Sequence, residues 1–276
     1  MSERALIVIT DPEDPRIAEF RQIRERDLTG RQGRFIAEGT VVLRMLAQAH
    51  GAGRGIKAEK ILLLQNRVSG LDELLASFPA DIPVYVADGA VLDAIAGFHL
   101  HRGVLALGIR DEAPTASRLI ESLPQHALVL VGCGISNHDN IGSMFRNAAG
   151  FTADAVLLDE TCCDPLYRKA LRVSVGSVLT VPYDRQGNAV ELLGSLADAG
   201  FAIWALSPSG MTEIRAIPAS ARMALVVGTE GEGLPAEVLE RFHTARIAQA
   251  PGLDSLNVGT ASGIALYGLA QAMGRL

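Results

Sequence analysis

Between Met223 and Gly263 two glycine-broken loops follow apolar runs, and no other stretch limits the possible fold so strongly. Met223-Ala-Leu-Val-Val227 has the character of a buried strand and stops at Gly228-Thr-Glu-Gly-Glu-Gly233. A second irregular segment begins at Ile247, passes Pro251-Gly252, and reaches Ser255-Leu256-Asn257-Val258. It opens into a helix of small residues that includes Gly259, Ala261, Gly263, Ala265, Gly268 and Ala270. In open α/β sheets, ligands sit where loops leave the carboxyl ends of strands. Glycine at such places lets backbone amides approach a ligand closely.

The rest of the chain supplies the sheets that such loops need. Short apolar runs alternate with helical patterns: strands are expected at Ala5–Ile9, Arg34–Glu38, Lys60–Leu64, Val84–Ala87 and Val104–Ile109. The intervening helices include one after Pro15 and one at Val41–His50 with Thr40 as N-cap. A polar, proline-bearing stretch, Asp111-Glu-Ala-Pro114, then marks a change of domain. The pattern restarts with strands at Ala127–Val131, Ala155–Leu158, Val178–Pro182, Phe201–Leu206, Ala224–Val227 and Ala245–Ile247, and a last helix at Val258–Met273. Regular alternation means layered α/β domains, the second mostly parallel. The expected organisation is a smaller domain over 1–110, a linker over 111–122 and a second domain over 123–276.

With 276 residues, 49 % apolar, the chain has ample material for two cores and none of the composition of disorder. No apolar run approaches the roughly 18 residues of a membrane span. The start, Met-Ser-Glu-Arg, lacks a secretory layout. Cys133, Cys162 and Cys163 form neither a disulfide framework nor a metal-ligand spacing. The reading is a reduced, cytoplasmic protein without a metal site.

Net charge is −6, so nothing about the sum advertises nucleic acid. The distribution differs: Arg16, Arg21, Arg24, Arg26, Arg31 and Arg34 face only Glu19, Glu25 and Asp27 over the same span. Arginine without lysine suits phosphate, because the guanidinium fork bonds bidentately; an ordinary solvated helix face with i,i+4 pairs has the same look. In the second domain, Asn140, Gly142 and Arg146 lie on one small-residue helix, where a long cation either snorkels or pairs. The glycines at 228–233 match neither a dinucleotide fingerprint nor a phosphate loop. Glu230 and Glu232 there disfavour phosphates and favour a neutral or cationic ligand. Ser255 or Asn257 also reads as the N-cap of the last helix.

N-x-G-x-x-x-R at Asn140/Gly142/Arg146, G-T-E-G-E-G at 228–233 and S-L-N-V at 255–258 occur in this order in one α/β domain. Together they resemble the three signature motifs of the SpoU-type (TrmH) RNA methyltransferases of the SPOUT superfamily. Arg172-Val-Ser174-Val-Gly176 resembles the segment between the first two motifs. Arg34-Phe-Ile-Ala-Glu38-Gly39 resembles the ribosomal-protein-like substrate-binding domain that many members carry. The first motif departs at Asn137-His138, where members often have Asp-Pro, and the third at Gly259, where many have serine.

The resemblance implies a C-terminal α/β trefoil-knot domain preceded by a smaller α/β/α RNA-binding domain. It implies S-adenosylmethionine as cofactor, a homodimer, and ribose 2′-O-methylation of ribosomal or transfer RNA. Gly228, Ile247 and Leu256 would hold the adenosyl part; Asn140, Arg146, Glu230, Ser255 and Asn257 would form the polar active-site set. Arg16, Arg21, Arg24, Arg31 and Arg34 would contact RNA. The competing readings are a base acceptor and a non-catalytic RNA-binding protein that keeps the fold.

Overall fold

The structure is a computed structural model, and it describes residues 4–21, 33–53, 55–96, 102–111, 114–229, 231–250, 252 and 255–276. Two compact units result: Met1–Glu112 with Leu166–Thr180, and Ala113–Pro165 with Val181–Leu276.

The first unit contains β1 (Leu6–Ile9), β2 (Arg34–Glu38), α1 (Thr40–Gly51), β3 (Ile56–Leu64), α2 (Asp72–Ala76), β4 (Val84–Ala87), α3 (Gly89–Ala96) and β5 (Val104–Arg110). Its sheet runs β1-β4-β3-β5-β2, with β5 antiparallel to both of its neighbours. Ile36, Leu62, Leu105 and Leu107 from the sheet pack with Ile17, Phe20, Leu92 and Ile95 in one core. Each such side chain, fully buried, contributes roughly 1.5–3 kcal/mol. The segment after Asp14 is a short 3-10 helix, Pro15–Phe20, capped by the Asp14 side chain. The N-cap of α1 is Gly39, at φ 93 and with no side-chain cap bond, and Thr40 is the first helical residue. This corrects the expected Thr40 cap: β2 runs so close to the helix that only a residue tolerating left-handed backbone makes the corner.

The second unit opens with α4 (Ala116–Ser122), β6 (Ala127–Gly132), α5 (His138–Gly150) and β7 (Ala155–Leu158). The chain then passes through α6 (Arg168–Val173), which belongs to the first unit although the sequence pattern places it in the second domain. The strand expected at Val178–Pro182 is not there. Val175 at φ 49 and Gly176 at φ 85 turn the chain into a 3-10 turn at Ser177–Leu179, packed so that a Cβ on Gly176 would lie 2.8 Å from Met45.

Pairing resumes at β8 (Tyr183–Arg185), followed by α7 (Ala189–Asp198), β9 (Ala202–Leu206), β10 (Thr212–Glu213), β11 (Arg222–Val227), α8 (Ala236–Arg241), β12 (His243–Arg246) and α9 (Val258–Ala272). The sheet order is β10-β12-β9-β11-β6-β7-β8, and every pair is parallel. β6 and β11 are central and buried apart from Arg222, as apolar parallel strands covered on both faces require. Among the described residues no helix is long and apolar enough to cross a membrane, and no group of three or more His, Cys, Asp or Glu is placed to hold a metal ion.

Gly108 faces Phe35 across β5 and β2, and a Cβ there would lie 2.3 Å from the buried ring. Gly108→Ala should therefore destabilise by about 1–3 kcal/mol through overpacking. Gly51 ends α1 with nothing within 4 Å of its Cβ position, so Gly51→Ala should stabilise by about 0.5–1 kcal/mol. Urea unfolding of the two variants measures both.

Candidate active site

The carboxyl ends of β9, β11 and β12 open on one cleft of about 220 Å³. Three loops line it: Leu206-Ser207-Pro208 after β9, Gly228, Thr229 and Gly231–Leu234 after β11, and Ile247, Gln249, Ser255 and Leu256 after β12. The β11 loop closes on itself. Thr229 and Gly233 form an antiparallel bridge, and the Thr229 hydroxyl donates to the Gly233 carbonyl at 3.4 Å. A Cβ on Gly228 would sit 2.5 Å from the Gly233 carbonyl carbon and oxygen, so the ring closes only with glycine at this place. Glu232 is exposed and lines the cleft; Glu230 lies outside the described residues.

The lining is chemically one-sided. Among the described residues that form it there is no Lys, Arg or His. Val227, Leu234, Leu239, Ile247, Leu256 and Val258 supply apolar walls. The buried Oε1 of Gln249 has no hydrogen-bond partner among the described residues. An orphan acceptor of this kind costs about 1–3 kcal/mol until a donor arrives. The cleft thus suits a partly apolar ligand with N–H or O–H donors and no negative charge, as the two loop acids predict.

Beside it, α9 begins at an asparagine that makes two kinds of bond. Asn257 Oδ1 accepts from the Gly259 and Thr260 amides at 2.9 and 3.3 Å, capping the helix. Its Nδ2 donates to Asn140 Oδ1 of α5 at 2.9 Å. Two turns further along α5, Asn147 Nδ2 donates to the Gly259 carbonyl at 2.6 Å and to Ser262 Oγ at 3.1 Å. The backbones come this close because Gly259 and Gly263 face α5: their Cβ positions lie 2.7 Å from Ser143 Cβ and 3.1 Å from Asn147 Nδ2. Asn140 and Asn147 share a face, being seven residues apart at about 100° each. Asn147, Ser262 and Gln249 were not among the expected site residues; the i,i+7 spacing of the two asparagines was the one available signal for Asn147.

Arg146, six residues after Asn140, falls on another face of α5. It is exposed, enters no hydrogen bond or ion pair among the described residues, and does not line the cleft. The structure therefore brings Gly228, Ile247, Ser255 and Leu256 together, joins Asn140 to Asn257 next to them, and leaves Arg146 apart.

The loop between β6 and α5 is held by Asp159, whose carboxylate accepts from the Gly134, Thr161 and Cys162 amides and the Thr161 hydroxyl. This seats Gly134 against Thr229, with 2.9 Å between its Cβ position and the Thr229 methyl. Burial pushes the Cys133 thiol up to about 12 and the Cys163 thiol to about 11. Burial, with Asp159 beside it, raises Cys162 as well. None of the three is a nucleophile at neutral pH.

Three of the arginines expected on RNA have an acid partner. Arg16 chelates Asp14, at 2.5 Å, and this hydrogen bond holds the Asp14 carboxyl down at about 2. Arg21 pairs with Glu13, and Arg34 forks onto Glu59 at 2.6 and 3.0 Å. Arg24 and Arg31 lie outside the described residues.

Asn257→Ala removes the α9 cap and should cost about 1 kcal/mol in thermal unfolding. Asn257→Ser keeps a capping oxygen but cannot reach Asn140, and should recover most of that loss.

Comparison with known proteins places this geometry. The SpoU rRNA Methylase family pattern matches residues 127–267. An uncharacterized tRNA/rRNA methyltransferase of Mycobacterium bovis is 38% identical over 269 residues, covering 94% of this chain and 90% of the relative. The 23S rRNA (guanosine-2′-O-)-methyltransferase RlmB of Burkholderia sp. is 30% identical over 190 residues, 68% of this chain and 77% of that one. The crystal structure of an AdoMet-bound rRNA methyltransferase from Sinorhizobium meliloti has the same fold, with a TM-score of 0.78 at 24% identity, covering 96% of this chain and 98% of that one. With its three motifs gathered at the carboxyl ends of one parallel sheet, the chain belongs to the SpoU rRNA methylase family.

Proposed function

We propose that the chain transfers a methyl group from S-adenosylmethionine to a ribose 2′-hydroxyl of ribosomal or transfer RNA. The observation that carries this reading is the cleft at the ends of β9, β11 and β12, with its closed glycine ring, apolar walls, orphan Gln249 acceptor and no cationic side chain among its described lining. Those features fit an adenosyl group with hydroxyl and amino donors and a positive sulfonium; they fit a dinucleotide or a nucleoside triphosphate poorly. The ribose acceptor is supported by the name of the Burkholderia relative.

Gly228, Ile247 and Leu256 would hold the cofactor, largely through backbone groups, with Gln249 and Ser207 as further polar contacts. When bound, S-adenosylmethionine supplies a methyl group already attached to a good leaving group. The protein's share is then positioning, which provides roughly 7–11 kcal/mol in favourable cases, and management of the hydroxyl proton. A guanidinium group does not give up its proton in proteins, so Arg146 is no base. Its role is to bind phosphate and stabilise the developing alkoxide. Ser255, Glu230 or water takes the proton. The bond between Asn140 and Asn257 fixes the start of α9, and with it the place of Ser255.

The proposal includes a trefoil knot and a homodimer. The knot reading rests on the strand order, with β12 between β9 and β10 and the chain continuing from it into α9 against α5. The dimer reading rests on Arg146, which is exposed and has no hydrogen-bond or ion-pair partner among the described residues, and on Ile264 and Tyr267, 42% and 46% exposed on α9. A second copy covering those residues would carry Arg146 to its cleft.

Calorimetry should give S-adenosylmethionine binding by the native chain and none by Gly228→Val, whose side chain cannot coexist with the closed ring. Arg146→Ala should bind cofactor within about twofold of native yet lose about 10²–10³ in turnover on the cognate RNA. That RNA is found by deleting the gene in its host and mapping the missing ribose methylations. A native chain that ignores S-adenosylmethionine, or an Arg146→Ala variant of full activity, would refute the reading.

A further inference from the structure

Folding brings four arginines, from three parts of the sequence, to one corner of the first unit. Arg168 and Arg172, one turn apart on α6, both reach Glu38 Oε2 at the end of β2, at 3.5 and 3.7 Å. Glu38 is buried, so one carboxylate is shared by two guanidinium groups and the trio is positive. Immediately after it, Gly39 bonds back to the Val104 carbonyl at 2.9 Å, which draws the start of β5 alongside. The stem of Arg102 lies on Gly39, with its Cδ and Nη1 at 3.1 and 3.2 Å from the Cβ position. The stem of Arg67 lies on Gly103, its Cγ at 3.3 Å from that Cβ position. Arg67, Arg102 and Arg172 are exposed, and neither Arg67 nor Arg102 has a carboxylate partner among the described residues.

Such a grouping is unusual in a chain of net charge −6. It contrasts with Arg16, Arg21 and Arg34, each held by an acid. Exposed guanidinium groups cost side-chain entropy to hold near one another and repel at short range, so a grouping in which one carboxylate serves Arg168 and Arg172, with Arg67 and Arg102 beside it, is arranged for an anion from outside. Two of the stems are laid flat on glycine backbone, where no side chain projects between them and a bulky partner. The forks suit phosphate oxygens, which accept two parallel N–H bonds.

We propose that Arg67, Arg102, Arg168 and Arg172 form a phosphate-contacting surface by which the first unit grips the RNA backbone. This rests on the RNA reading above and assigns the grip to a grouping of which the sequence motifs single out Arg172 alone. Phosphate contacts of this kind set affinity and register without reading bases. Glu38 is the positioning residue: it orients Arg168 and Arg172 and is not itself a contact.

The test is anisotropy titration of a fluorescein-labelled RNA stem-loop across about 50–200 mM KCl. Arg67→Ala with Arg102→Ala should weaken binding by about tenfold or more at the low-salt end and reduce the salt slope by about 1–2. Arg118→Ala with Arg215→Ala removes the same charge from exposed sites in the second unit and should change affinity less than about twofold, which is the size expected of long-range charge alone. The Arg67→Lys, Arg102→Lys variant should keep most of the slope while losing part of the affinity, because the charge remains and the fork does not. Equal losses in the two alanine pairs, or none in either, would overturn the assignment. Calorimetry with S-adenosylmethionine on the same samples keeps the two readings apart: cofactor binding with unchanged RNA affinity removes only this surface, and absent cofactor binding in the native chain removes the methyl-transfer reading.

Discussion

Everything at the site depends on how closely α5 and α9 approach. Two glycines, Gly259 and Gly263, bring the helix backbones together, and the gap left is too narrow for any larger side chain. Asn140 and Asn147 close the contact with hydrogen bonds to Asn257, to the Gly259 carbonyl and to Ser262. Because Asn257 is also the cap of α9, the position of that helix and the course of the chain before it are set by one side chain. That preceding segment carries Ile247, Gln249, Ser255 and Leu256, which form one wall of the cleft. The opposite wall is the glycine ring after β11, steadied through Gly134 by the Asp159 carboxylate. The cleft is thus held by backbone geometry and buried hydrogen bonds, leaving few side chains free to be exchanged.

Charge is sorted in the same economical way. The described cleft lining carries a carboxylate and an orphan acceptor and excludes cations, which selects a ligand without phosphates. Arginines are kept to other surfaces. Arg146 faces solvent on α5, and Arg67, Arg102, Arg168 and Arg172 gather around Glu38 in the first unit. A cofactor bearing a sulfonium and a polyanionic substrate need opposite surroundings, and this division supplies them without either field cancelling the other.

Much of this was legible in the sequence where buried strands are continuous apolar runs. Arg34–Glu38, Val84–Ala87 and Ala155–Leu158 have the bounds that their composition predicts. The run at 178–182 is also largely apolar, yet it forms no strand: left-handed backbone at Val175 and Gly176 turns the chain just before it, with Gly176 packed against Met45, a long-range contact that no local pattern reveals. The same limit governs the site. Glycine loops and the Asn257 cap are local features and could be read, whereas the partners Asn147, Ser262 and Gln249 come together only in the fold. The arginines show it most plainly. Arginine density along the chain is high over Arg16–Arg34, where Arg34 finds its acid 25 residues away at Glu59, whereas the grouping around Glu38 is assembled from three separate places, Arg67, Arg102 and α6.

Amide hydrogen exchange with and without saturating S-adenosylhomocysteine would locate the cofactor site, which we assign to the cleft at the ends of β9, β11 and β12. Slowed exchange is expected only in residues 206–208, 228–234 and 247–258, with α4 and the first-unit sheet unchanged. Protection absent from those three loops, or centred instead on the groove between residues 159–161 and 187–191, would contradict it.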